Sequence, residues 1–118
     1  MAILTETSRK AEFMVSAANA YRSLDEGTIT VPANTTLEAG TVMEIDTGKF
    51  VRLNIGDEAG ILFQPLTNAT GSAVDMKGTI VARDAEVHGD KLTYASGANA
   101  GAITASNTAL AALGIIVR

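Results

Sequence analysis

Between Gly27 and Gly89 the apolar residues of this chain come in short runs, each closed within a few positions by glycine, proline, asparagine or aspartate. Runs of that length suit strands and are too short for core helices. Thr28-Ile29-Thr30-Val31 alternates polar and apolar, and Pro32 ends the run or marks a sheet edge. Val42–Asp46 and Lys49–Leu53 read as a hairpin joined at Thr47-Gly48, with Gly48 supplying the positive φ that short loops require. Gly60-Ile61-Leu62-Phe63 is continuously apolar, as expected of a strand covered on both sides, and is the best candidate for the centre of the core. "TNATGS" reads as a loop, and "GTIVARDAEVH" resumes an extended pattern up to Gly89-Asp90.

The last segment has a different texture. Ser106 is placed to cap a short helix through "NTALAAL", and Gly114 stands where a C′ residue is expected. Ile115-Ile116-Val117 then returns as a buried strand. The predicted fold is mainly β with a short C-terminal α-helix (α+β), a compact small β domain without internal repeats or linkers.

The first part of the chain is the least domain-like. Met1 to about Ser23 is polar and mixed in charge, with one apolar patch at Phe13, Met14 and Val15 and a later Tyr21. Two readings stand side by side. "EFMVS" pairs as an extended arm with an exposed sheet edge elsewhere, or it is an ordinary N-terminal strand or frayed tail of its own domain. The division that follows is an extended N-terminal arm over 1–23 and a single β-rich domain over 24–118.

Composition then limits function. A chain of 118 residues, 47% hydrophobic and 19% charged, makes one domain, which buries roughly two-thirds of its unfolded surface. With no Trp, three Phe and two Tyr, the core is built mainly from Val, Ile, Leu and Ala, and such a domain gains stability by sharing apolar surface with copies of itself. A net charge of −4 without a Lys/Arg cluster argues against direct contact with nucleic acid. The apolar stretches fall short of a membrane span, and "MAILTETSRK" does not read as a signal peptide, so synthesis in the cytoplasm is expected. The absence of Cys excludes disulfides, thiolate metal sites and cysteine nucleophiles.

The search for chemistry gives no enzyme. His88 is the single histidine, no serine sits in a nucleophile elbow, and His88 is read as a strand-end or surface residue. Scattered carboxylates suggest a solvated surface, and "DEAG" and "DAEVHGD" lack the ligand spacing of a calcium loop, so neither metal nor cofactor is expected. "VDMKG" around Lys77 shares a Met-Lys pair with biotinyl and lipoyl carrier domains, but Gly78 replaces the second Met of a biotinyl site. Asn34-Thr35-Thr36 and Asn68-Ala69-Thr70 match the glycosylation acceptor pattern and are read as turns.

Four segments carry a resemblance that covers nearly the whole chain. "EFMVSAANAYRS", "TITVPANTTLEAGTVMEID", "AGILFQPLTNATG" and "LAALGIIVR", in this order and spacing, resemble the head decoration protein D family of lambda-like tailed phages. The resemblance implies a non-enzymatic homotrimer on local three-fold positions of the expanded head, on the outer surface of the virion. Its N-terminal arms would reach the major capsid protein and stabilise the shell against packaged DNA. On that basis Phe13, Met14 and Val15 are expected to anchor the arm, Ser8, Arg9 and Lys10 to add main-chain and charged contacts, and Tyr21 with Arg22 to fix its exit from the domain. Competing readings are another β-rich virion or surface module, such as a tail or fibre subunit, and a carrier domain modified at Lys77.

Overall fold

The computed structural model describes residues 13–17, 20–54 and 57–118, with the side chains of residues 20 and 21 excepted. Strands dominate. They run β1 (Met14–Ala17), β2 (Leu24–Val31), β3 (Thr35–Leu37), β4 (Val42–Asp46), β5 (Lys49–Arg52), β6 (Glu58–Leu62), β7 (Leu66–Asn68), β8 (Val74–Val81), β9 (Ala85–Val87) and β10 (Ile115–Val117). A one-turn helix α1 (Ala20–Ser23) precedes β2, and α2 (Ala100–Ala112) precedes β10.

Five strands close into a barrel in the order β2-β5-β4-β6-β8. Its long seam is the antiparallel pair β2/β8, in register from Leu24↔Val81 to Val31↔Val74. Beside the barrel lie a three-stranded sheet, β1-β9-β10, and a two-stranded one, β3-β7.

Adjacent residues on the barrel strands serve two cores. Met43, Leu62 and Ile80 point into one cluster with Ile29, Val31 and Leu37. Their neighbours Val42, Ile61 and Val81 point the other way, into a cluster with Phe13, Val87, Leu110 and Ile115. Side chains alternate across a strand, so a strand apolar at consecutive positions is one covered on both faces. This is the arrangement expected of Ile61-Leu62. The second core is the one that joins barrel, α2 and the three-stranded sheet.

Local chemistry explains the turns. Thr47 (φ 51°) and Gly48 (φ 80°) form the two-residue connection between the paired Asp46 and Lys49, a loop with positive φ at both positions, as a hairpin twist favours. The Thr47 hydroxyl donates to the Asp46 carbonyl at 2.7 Å. The extended pattern of residues 78–88 is two strands, since the chain turns at Asp84 (φ 50°) between β8 and β9.

Two expectations are corrected here. The C-terminal helix begins at Ala100, not beyond Ser106; Asn99 caps it, its side chain accepting from the Ala102 amide at 2.9 Å. Ser106 is buried in mid-helix and donates to Glu58 Oε1 at 2.7 Å, tying α2 to β6. Gly114 (φ 85°) does end the helix, with its amide on the Ala111 carbonyl, and β10 follows. Asn34 stands in a turn at positive φ, whereas Asn68 is a buried strand-end residue. Its amide nitrogen lies 2.8–3.1 Å from the carbonyls of Val31, Pro32 and Ser72, and its Oδ1 accepts from the Thr70 amide and hydroxyl.

Candidate interaction surface

The N-terminal part of the described chain is built into the domain. β1 pairs antiparallel with β9, Met14↔Val87, Ser16↔Glu86 and Ala17↔Ala85, with an irregularity between Met14 and Ser16. β10 lies parallel on the other side of β9, Ile115↔Ala85 to Val117↔Val87. Among the described residues the two outer strands therefore leave one edge each.

Phe13 precedes β1 and has no exposed surface. Its ring belongs to the core shared by Val42, Ile61, Leu110 and Ile115, and its carbonyl accepts the His88 amide at 2.8 Å. The structure thus places Phe13 in its own domain rather than on an outward surface, because an aromatic ring at a sheet edge gains most by filling the nearest apolar gap. Met14 is half-buried against the same core, and Val15 is exposed at 43%. Tyr21 lies in α1, but its side chain is outside the described residues, as are Ser8, Arg9 and Lys10 altogether.

Across the sheet, Ser16, Glu86 and Ile116 form one cross-strand row. Ile116, also 43% exposed, borders a shallow depression of about 340 Å³ that reaches across to Ser16 and Ala17. Arg118 donates to both carboxylate oxygens of Glu86 at 3.0 and 3.1 Å. These hydrogen bonds hold the Glu86 carboxyl below its ordinary pKa, against the opposing effect of partial burial.

The root of this segment is clasped through Arg22, a residue singled out in the sequence, and through Ser23, Asp25, Arg83 and Asp84, which were not. Arg22 donates from Nε to the Asp84 carboxylate at 2.6 Å, and that hydrogen bond, followed by the carboxylate's charge, raises the guanidinium's pKa. Ser23 Oγ donates to the Asp84 carbonyl at 3.0 Å, and the Ala82 amide donates to the Ser23 carbonyl at 2.8 Å. Arg83 donates to both oxygens of Asp25 and to the Arg22 carbonyl. The adjacent Arg83-Asp84 pair between two extended runs was the available signal, since an aspartate tolerates the positive φ of a turn.

Other sequence candidates lie apart from this surface. His88 is exposed at the end of β9. Lys77 sits in the middle of β8 opposite Thr28, not at a hairpin tip where a swinging cofactor would need it. Among the described residues no group of three or more His, Asp or Glu is placed to hold a metal ion, and no helix is long and apolar enough to cross a membrane.

A family model described as Bacteriophage lambda head decoration protein D matches residues 3–115 of the chain. The chain belongs to this family. Membership of the head decoration family implies a phage capsid decoration role, in association with the head shell and in the virion. The family is one of structural capsid proteins rather than of enzymes. Neither the curated proteins nor the solved structures compared with the chain gave a match.

Proposed function

We propose that this protein coats the outer surface of an expanded phage head as a homotrimer at local three-fold sites, binds the major capsid protein through its N-terminal arm, and stabilises the shell against the pressure of packaged DNA. The observation that carries the proposal is the family match, which spans residues 3–115 and so includes almost all of the segment ahead of the domain. Within that segment Ser8, Arg9 and Lys10 supply main-chain and charged contacts, and the exposed Val15 extends the contact at its root.

Avidity makes weak arms sufficient. Ordering a chain segment costs about 1–2 kcal/mol per residue for the backbone, so one arm binds poorly. Once one arm of a trimer is engaged, the others are held near their sites, and overall affinity rises by about 10²–10⁴ without new kinds of contact. A ligand specific for the expanded lattice stabilises that lattice by linkage. The charge distribution agrees with a protein partner: of nine Lys and Arg, four are in described ion pairs with carboxylates, at Arg22, Lys49, Arg83 and Arg118.

The test is to add the purified protein to expanded heads that lack their decoration protein. Binding to expanded but not unexpanded heads, with a trimer mass in light scattering, is the expected result. A monomeric mass at micromolar concentration overturns the trimer, and undiminished binding after deletion of residues 1–12 overturns the arm.

A further inference from the structure

β1 is a poor strand held by a good anchor. Three of its four side chains are exposed, and its pairing with β9 is irregular between Met14 and Ser16. What fixes it is the Phe13 ring, enclosed in the core, together with the Phe13 carbonyl on the His88 amide. Farther along, α1 is held independently through Ser23 and Arg22 on Asp84. The chain is therefore tied down at two points, and residues 1–12 start from the first of them.

Resting on the capsid-binding reading above, we propose that Phe13 is a positioning residue: β1 stays docked on β9 when the protein sits on the shell, and the capsid is met by the residues ahead of Phe13 and by the exposed Val15 rather than by Phe13. Chain length gives the proposal its physical content. With β1 docked, contacts at Ser8, Arg9 and Lys10 stand a few positions from the fixed Phe13; with β1 released, the nearest fixed point is α1, seven positions farther along the chain. Effective concentration falls as the span between anchor and contact lengthens, so release weakens each arm after the first, and the loss is compounded over the arms of a trimer. Docking also orders residues 13–17 before the encounter, so binding does not have to order them. Moving Phe13 to the shell would instead empty a phenyl-sized space beside Val42, Ile61 and Leu110.

The chain has no cysteine, so a disulfide can decide the matter. Ser16→Cys with Glu86→Cys, and separately Ala17→Cys with Ala85→Cys, place thiols on directly paired residues of β1 and β9. Both pairs are expected to oxidise, and the locked proteins to bind undecorated expanded heads as tightly as wild type. Phe13→Ala is expected to bind severalfold more weakly at a temperature where its domain is folded, and the lock is expected to restore that loss. Loss of binding on locking, with recovery on reduction, overturns the proposal, because β1 must then leave β9. Failure of both pairs to oxidise overturns it too, since β1 would not be docked. Deletion of residues 1–12 separates the two ideas: if that variant binds normally, the arm reading fails, whereas binding lost by deletion and also by locking fails only the positioning role.

Discussion

Ser23 Oγ donates to the Asp84 carbonyl at 3.0 Å from a residue with no exposed surface. The neighbouring Arg22–Asp84 ion pair is shorter, at 2.6 Å, but the Arg22 side chain is 66% exposed. Burial decides which contact matters, because an exposed pair exchanges one set of good water contacts for another, while a buried hydroxyl and carbonyl have no such exchange. Ser23→Ala is expected to destabilise the domain by about 1–2 kcal/mol in urea denaturation. Arg22→Ala is expected to leave the midpoint almost unmoved. A reversal of that order would mean that the ion pair, not the hydroxyl, holds α1 to the β8–β9 turn.

Asn68 offers a sharper case. Its side chain serves the carbonyls of Val31, Pro32 and Ser72 and caps the turn through Thr70, all at a buried position. Asn68→Ala should cost about 2–4 kcal/mol, since several main-chain groups lose their partner at once. Asn68→Asp keeps the shape but replaces the donor with a carboxylate that faces carbonyl oxygens. Its folded-state pKa would be raised above the unfolded value, so protonation favours the folded form. The variant's deficit against wild type should therefore shrink as pH falls through the folded pKa toward the unfolded one. Equal deficits at pH 4 and pH 7 in denaturation curves would count against this account.

The sequence made the strands and turns of the barrel readable wherever a local rule sufficed. Alternation marked β2, Thr47-Gly48 marked the hairpin, and the unbroken Ile61-Leu62 run marked a strand covered on both faces. Local rules failed where the deciding contact is distant. Gly101, Ile103 and Thr104 are weak helix formers, so the true start of α2 was hidden behind the Asn99 cap and the Ser106–Glu58 contact. The candidate surface was the least legible part. Phe13-Met14-Val15 is an apolar patch under either fate, and only its pairing with β9, more than 70 residues away, shows that Phe13 faces inward. Family membership was legible because ordered matches along a whole chain do not depend on knowing any one contact.

Two glycines separate conformational strain from crowding. Gly48 needs a positive φ, but nothing lies within 4 Å of where its Cβ would be. At Gly60, beside the irregular stretch of the β4/β6 pairing, a Cβ would meet Ile80 Cγ2 at 2.5 Å and the Val81 carbonyl oxygen at 2.7 Å. The first substitution costs backbone strain alone, the second also pushes against main chain. Gly48→Ala is expected to cost about 1 kcal/mol and Gly60→Ala about 1–3 kcal/mol more, read as separate shifts in thermal midpoint. Similar shifts for both would show that the β6–β8 contact yields easily.

Acid should loosen the domain through a small set of paired carboxylates. Asp75 is held below its ordinary pKa of 3.8 by hydrogen bonds from Lys49 and Thr30, and Glu86 below its ordinary 4.5 by those from Arg118. A carboxyl with a depressed folded-state pKa contributes stability that is fully present above its unfolded pKa and is lost as pH falls through the folded value. Stability should accordingly be level near neutrality with respect to these groups and decline from about pH 4.5 downward. Asp75 is exposed and Glu86 half-buried, both within reach of solvent, so the contribution is modest and weakened by salt. Asp75→Asn should remove the whole Asp75 part of the acid limb, Lys49→Met the larger share of it because the Thr30 hydrogen bond remains, and the double variant should do no more than Asp75→Asn alone. Denaturation midpoints measured from pH 3 to pH 7 at low and high salt provide the check; an acid limb unchanged by Lys49→Met would show that Asp75 draws its acidity from Thr30 rather than from Lys49.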